Sequence, residues 1–153
     1  MTCERNHGTP GEALHALAAR LREEDTPISP HVIDPPVAPA LGAIAADGPR
    51  AATAPGEYAL VVEAVHEGYL LHYGEPRLLS GHDADLALLA GDYLYALGLD
   101  RLAALGDERA VAILSDLISR CAQLHAERDT GSIPQLWKDA ALEISGAAPT
   151  RFN

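Results

Sequence analysis

The pattern of apolar and polar positions divides the chain into five helical stretches and one long interruption. After Thr9-Pro10-Gly11-Glu12, the residues Leu14, Leu17, Ala18 and Leu21 form a narrow apolar stripe that runs to about Glu24. Thr9 as N-cap, Pro10 at the first helical position and Glu12 at the third read as a capping box. This helix is short and alanine-rich, so it needs a partner surface, in its own domain or on another subunit. A second helix is expected over 57–73, EYALVVEAVHEGYLLHY, and a third over 83–105, with Ser80 or His82 near its start. Gly106 closes the third in the left-handed region, and Asp107 N-caps a fourth over 108–128. The expected face of that fourth helix is Val111, Leu114, Ile118, Cys121 and His125. Ser132 with Gln135 reads as another capping box, opening a fifth helix over 133–145. No segment alternates with the period of two that a strand needs, so the expected fold class is an all-α bundle.

The interruption spans residues 25–56. Seven prolines, at 27, 30, 35, 36, 39, 49 and 55, argue against regular helix there. The segment is nevertheless apolar, with Val32, Ile33, Val37, Leu41 and Ile44. A flexible linker would be polar, so the sharper expectation is an extended arm that lies on a partner's surface through those five residues. The expected organisation is a short N-terminal helix (1–24), a proline-rich arm or disordered linker (25–56), a helical domain (57–145) and a tail (146–153).

Charge narrows the functions available. The 153 residues carry 22 acidic against 11 basic side chains, a formal net charge of -11. That balance disfavours nucleic acid and anionic membranes, both of which reward Lys and Arg clusters. No apolar run approaches the roughly 20 residues needed to span a bilayer. The N-terminal MTCERNHGTP lacks the apolar core of a secretion signal. Cys3 and Cys121 are far apart and outside any paired motif, so a cytoplasmic protein without disulfides or cofactors is expected.

Few residues could carry chemistry. Glu63, His66 and Glu67 share one helical turn at i, i+3 and i+4, the spacing of a metal site, but no second ExxH exists to complete it. His72 lies about 120° round the helix from His66, so the two do not chelate together. In GHDAD, Asp83 and Asp85 supply the acidic first turn that a helix dipole favours. Asp92 borders an apolar stripe and calls for a hydrogen-bonding partner. Ser115 and His125 share a helix without a third group to make a triad.

Three ordered stretches carry a likeness to a known family. Residues 63–77 read E-A-V-H-E-G-Y-L-L-H-Y-G-E-P-R, residues 89–94 read L-A-G-D-Y-L, and residues 138–142 read K-D-A-A-L. Together they resemble the trans-polyprenyl diphosphate synthases, whose corresponding helix runs roughly E-L-I-H-x-x-S-L-I-H-D-D-x-x-D. Glu63, Val65, His66, Leu70, Leu71 and His72 fall on matching positions. The likeness covers about 58–145 and implies part of the isoprenoid synthase fold. In that family the aspartates bind Mg²⁺, which holds an allylic diphosphate and stabilises its departure. Here the three aspartate positions are Tyr73, Gly74 and Arg77. The basic stretch that grips the second diphosphate has only Gly48-Pro49-Arg50 in its place, and no second aspartate-rich helix follows. The resemblance also implies that Gly68 and Tyr69 stand where residues line the prenyl-chain tunnel, with Tyr93 beside them on the next helix.

The resemblance therefore implies a non-catalytic helical subunit, similar to the small subunits of two-component long-chain prenyl synthases. A protein partner is expected, a catalytic subunit of a larger complex, or a second copy in a homo-oligomer. That complex is a hetero-oligomeric polyprenyl diphosphate synthase or a quinone-handling assembly. Two alternatives stand beside it. One is a small isoprenoid carrier or sensor using a groove at Gly68, Tyr69 and Tyr93. The other is a metal-dependent enzyme using Glu63, His66 and Glu67.

Overall fold

The computed structural model describes residues 8–147. Cys3 and all but the first two residues of the expected tail lie outside them. Among the described residues the protein is all-helical, with six α-helices and no strand. These are α1 (Ala13–Glu23), α2 (Ala40–Ala46), α3 (Pro55–Tyr73), α4 (Ala84–Ala104), α5 (Glu108–Ala126) and α6 (Ile133–Ser145). None is long and apolar enough to cross a membrane.

The centre of the fold is α3. Its residues are apolar on every side, and thirteen of its nineteen positions are buried. A helix of that kind belongs inside a protein. It separates two apolar clusters. On one side Tyr58, Val61, Val62 and Val65 pack with α5 and α6, among them Leu114, Cys121, Trp137 and Ile144. On the other, Leu60, Ala64 and Leu71 pack with α1 and α4, among them Leu14, Leu17, Leu21, Leu94 and Leu97. The partner surface that α1 needs is thus within the same domain.

Glycines set how closely α3 and α4 approach. A Cβ at Gly68 would come 2.8 Å from Gly91 O, and one at Gly98 would come 2.5 Å from Val65 Cγ2. Helix ends largely follow the sequence signals. Asp107 accepts from Ala110 N at 3.0 Å and caps α5, and Gly106 takes φ +77° before it. Asp83, rather than Ser80 or His82, caps α4 by accepting from Leu86 N at 2.8 Å. At Thr9 the backbone N–H donates to Glu12 Oε1 at 3.2 Å, the return bond of the capping box.

Three expectations are corrected. Ser132 makes no side-chain cap to α6, since its backbone is helical rather than in the extended conformation of a capping residue, and Gln135 donates to Asp139 Oδ1 at 2.9 Å instead of returning to Ser132. The buried face of α5 is Ala110, Leu114, Leu117, Cys121 and Leu124, whereas Val111, Ile118 and His125 are only half-buried. The third correction concerns the proline-rich segment, which is not an extended arm. It folds onto its own bundle through Ile28, a two-stranded contact and α2. Val32 bridges Leu79, with Ile33 N donating to Leu78 O at 2.7 Å and Ser80 N to His31 O at 3.0 Å. Pro39 sits at the N-cap of α2, outside its hydrogen-bonded interior, so it starts this helix rather than breaking it. Leu41 and Ile44 pack on the α5–α6 side of the core and Val32 on the α1–α4 side. Of the five residues assigned to a partner surface, only Ile33 and Val37 remain exposed.

Candidate functional site

The C-terminal half of α3 holds the residues on which any chemistry would depend. Glu63 and Glu67, four apart, point to the same side and are fully buried. After α3 ends at Tyr73 the chain turns back, and Arg77 enters between them. Arg77 Nη1 donates to Glu63 Oε1 at 2.7 Å and Arg77 Nε to Glu67 Oε1 at 2.8 Å. The second oxygen of each carboxylate accepts from the backbone. Glu63 Oε2 accepts from Gly42 N at 2.7 Å. Glu67 Oε2 accepts from Arg77 N at 2.7 Å and from Leu78 N at 2.9 Å. Every carboxylate oxygen of the pair is therefore engaged. Two acids against one guanidinium leave a buried excess of negative charge, which three backbone N–H groups offset.

His66 faces away from this network. Its ring packs against Trp137, centroids 4.8 Å apart, and stacks parallel to Tyr69 at 6.2 Å. Burial, helped by the charge of Arg77, lowers its pKa to about 3, so it is neutral at ordinary pH. His66 Nδ1 is buried without a hydrogen-bond partner, while Trp137 lies against the Cys121 thiol. Tyr69 OH lies 2.8 Å from His125 Nε2, and Tyr73 stacks on His125 with ring centroids 4.0 Å apart. Burial also raises the pKa of the Tyr69, Tyr95 and Cys121 side chains, which keeps them protonated. On the third side of α3, His72 Nε2 lies 3.2 Å from Leu88 O and 3.2 Å from Asp92 Oδ1.

Glu63, His66 and Glu67 thus do not converge on one ion. The carboxylates turn to Arg77 and the imidazole to Trp137. Among the described residues no group of three His, Cys, Asp or Glu side chains is arranged to hold a metal. Where the resemblance would place aspartates, Tyr73 and Gly74 offer no carboxylate and Arg77 is a largely covered cation, its side chain 14% exposed. That donor set does not fit Mg²⁺.

The three residues expected to line a lipid groove are not brought together either. Gly68 is closed over by Gly91 and Tyr95, with no room for a Cβ. Tyr69 faces α5 and α6 through His125 and Trp137. Tyr93 points to the opposite side, where its OH donates to Glu24 Oε1 of the turn after α1 at 2.7 Å. Whether 69 and 93 face each other depends on how α4 packs on α3, which no local pattern encodes.

Two further acid–base links join the helices. Arg101 of α4 grips buried Glu57 of α3 with Nε and Nη2 at 2.6 and 2.7 Å. Arg50 donates to Asp107 Oδ1 at 2.6 Å and to Ile144 O at 2.9 Å, and Tyr58 OH donates to Asp107 Oδ2. Arg50 is therefore a structural tie between α3, α5 and α6. Outside these links lies an open groove of about 420 Å³ between α5 and α6. Its floor is Ile113, Leu117, Leu136 and Ala140, with Asp116 and Glu143 on its edges. The sequence reading missed it, because it needed Leu117 on the inner face of α5.

These features define an all-helical domain whose central acids are tied to arginines and backbone N–H groups. Compared with protein-family models, curated proteins and solved structures, the chain gives no significant match.

Proposed function

We propose that this protein is a non-catalytic helical subunit, built on a polyprenyl-synthase-like pattern, that works as an accessory or scaffold in a larger enzyme complex. The complex is a hetero-oligomeric polyprenyl diphosphate synthase or one that handles a polyprenyl quinone. The observation that carries the reading is Arg77. A guanidinium stands at a position where the resembling family has a metal-binding aspartate, and it is bonded to Glu63 and Glu67. Ionising a diphosphate needs metal ions or a cluster of cations aimed at the leaving group. The arginines best placed to supply them, Arg50, Arg77 and Arg101, are each bonded to an acid of the fold. With no such machinery among the described residues, the reading is of a chain that serves by binding another protein.

The purified chain, incubated with an allylic diphosphate, isopentenyl diphosphate and Mg²⁺, tests the catalytic half of this reading. No elongated product and no pyrophosphate release are expected. Turnover that survives repurification and disappears in Glu63→Gln would overturn it.

A further inference from the structure

The composition of α4 does not match its place in the fold. Like α3, it is apolar on all sides, but α3 is enclosed and α4 is not. Leu88 and Leu89 are 56% and 57% exposed, the highest values among the large apolar side chains described. At 100° per residue they lie on one stripe with Ala96, half-buried Leu99 and Ala103. Three exposed acids, Asp85, Asp92 and Asp100, share that stripe. They are spaced seven and eight residues apart, about 10–12 Å along the axis. The only basic residue of α4, Arg101, turns inward to Glu57. His72 lies beside Asp92, its Nε2 3.2 Å from Asp92 Oδ1.

This pattern disfavours pairing of α4 with α4 of a second copy. An antiparallel self-pairing centred between residues 92 and 93 sets Asp85 of one copy against Asp100 of the other. A parallel self-pairing sets each aspartate against itself. Both bring like charges together as the apolar surface is buried, in a chain already at -11. A helix with Lys or Arg beside its apolar residues meets the same stripe with opposite charge.

We propose that the outer face of α4 docks a helix of a different protein, one whose apolar stripe is flanked by Lys or Arg repeating about every seven residues. This inference rests on the subunit reading and names the surface through which the subunit binds. Leu88, Leu89 and Leu99 supply the apolar contact, the alanines at 96 and 103 let the partner backbone approach, and the aspartates set register and exclude self-pairing.

The test is site-specific photo-crosslinking of the full chain in the organism that encodes it. A photoreactive residue is placed at position 88, or at Ile113 in the α5–α6 groove as a comparison, and the linked peptide is sequenced. The expected result is a link from position 88 to another protein, in a peptide with the stated apolar and basic pattern. Asp92→Lys with Asp100→Lys should reduce that link at least tenfold, and reversing the facing basic residues to aspartate should restore it. Leu89→Gln, which leaves every charge in place, should weaken it as well. A link from 88 to this same chain, to a peptide without basic residues, or one unchanged in the lysine variant overturns the proposal. A hetero-complex that links only through position 113 overturns the surface and leaves the subunit reading intact. A chain that links to nothing and migrates as a monomer overturns both.

Discussion

Arg77 reaches back to the helix it follows and sets its Nη1 2.7 Å from Glu63 Oε1, in a region where Glu63 has no exposed surface. Removing one member of a buried charge cluster leaves the others uncompensated. Arg77→Met is therefore expected to destabilise the fold by about 3–5 kcal/mol, read as a lower urea midpoint at unchanged slope. Arg77→Lys should recover only part of the loss, because an ammonium cannot reproduce the forked contact to two carboxylates. Replacing Glu63, Glu67 and Arg77 together by apolar residues should not restore stability. Gly42 N, Arg77 N and Leu78 N would then lose their acceptors.

His66 gives the fold a specific sensitivity to acid. Its pKa is lowered to about 3 by burial and by Arg77, while in the unfolded chain it returns to the ordinary imidazole value of 6.5. Above pH 6.5 both states hold it neutral. As pH falls from 6.5 toward 3 the unfolded state takes up the proton and the folded state does not, so stability declines across that window. Between pH 7 and pH 5 the loss from this residue should be about 2 kcal/mol. His66→Phe should remove most of that slope in urea titrations, and the His66 ring resonances in the folded protein should not move over the same range.

Gly68 separates a packed interface from an open groove. A Cβ there meets Gly91 O and Tyr95 Cδ1, both at 2.8 Å. Gly68→Ala should destabilise by about 1–3 kcal/mol through overpacking. An open tunnel beside α3 would instead leave only the helix-propensity gain of about 1 kcal/mol. The sign of the change in thermal midpoint distinguishes the two.

Helix α2 is expected to behave as core. Its face packs on α3 and α6, and Glu63 holds its Gly42 N–H. Hydrogen exchange should show α2 amides opening with α3, not on the timescale of a linker. Ile44→Asp should lower the urea midpoint about as much as a substitution in α6. If α2 exchanges freely while α3 stays protected, the segment is an arm after all.

The sequence exposed different parts of this structure to different degrees. The long helices were legible because their signals are local: the long apolar runs of α3 and α4 without proline in their interiors, the Gly106-Asp107 junction, the carboxylate cap of α5. The helix α2 is hidden by the prolines around it, none of which lies inside it. Pro39 stands just before Ala40, where the absence of an N–H costs little. The carboxylate pair Glu63 and Glu67 was visible at i and i+4, but its partner was not. Arg77 lies ten and fourteen residues on, in a loop whose path no periodicity sets. The lipid groove failed for the same reason. Whether Gly68, Tyr69 and Tyr93 share a space depends on the rotation of α4 against α3, which Gly68, Gly91 and Gly98 fix in three dimensions.

The subunit reading is tested most directly by native mass spectrometry of the untagged chain, recovered gently from the organism that encodes it. A hetero-complex of defined mass is predicted, one that contains this chain, releases it intact on activation and pairs it with a different polypeptide. Recovery of the chain as a free monomer, or only as copies of itself, would contradict it.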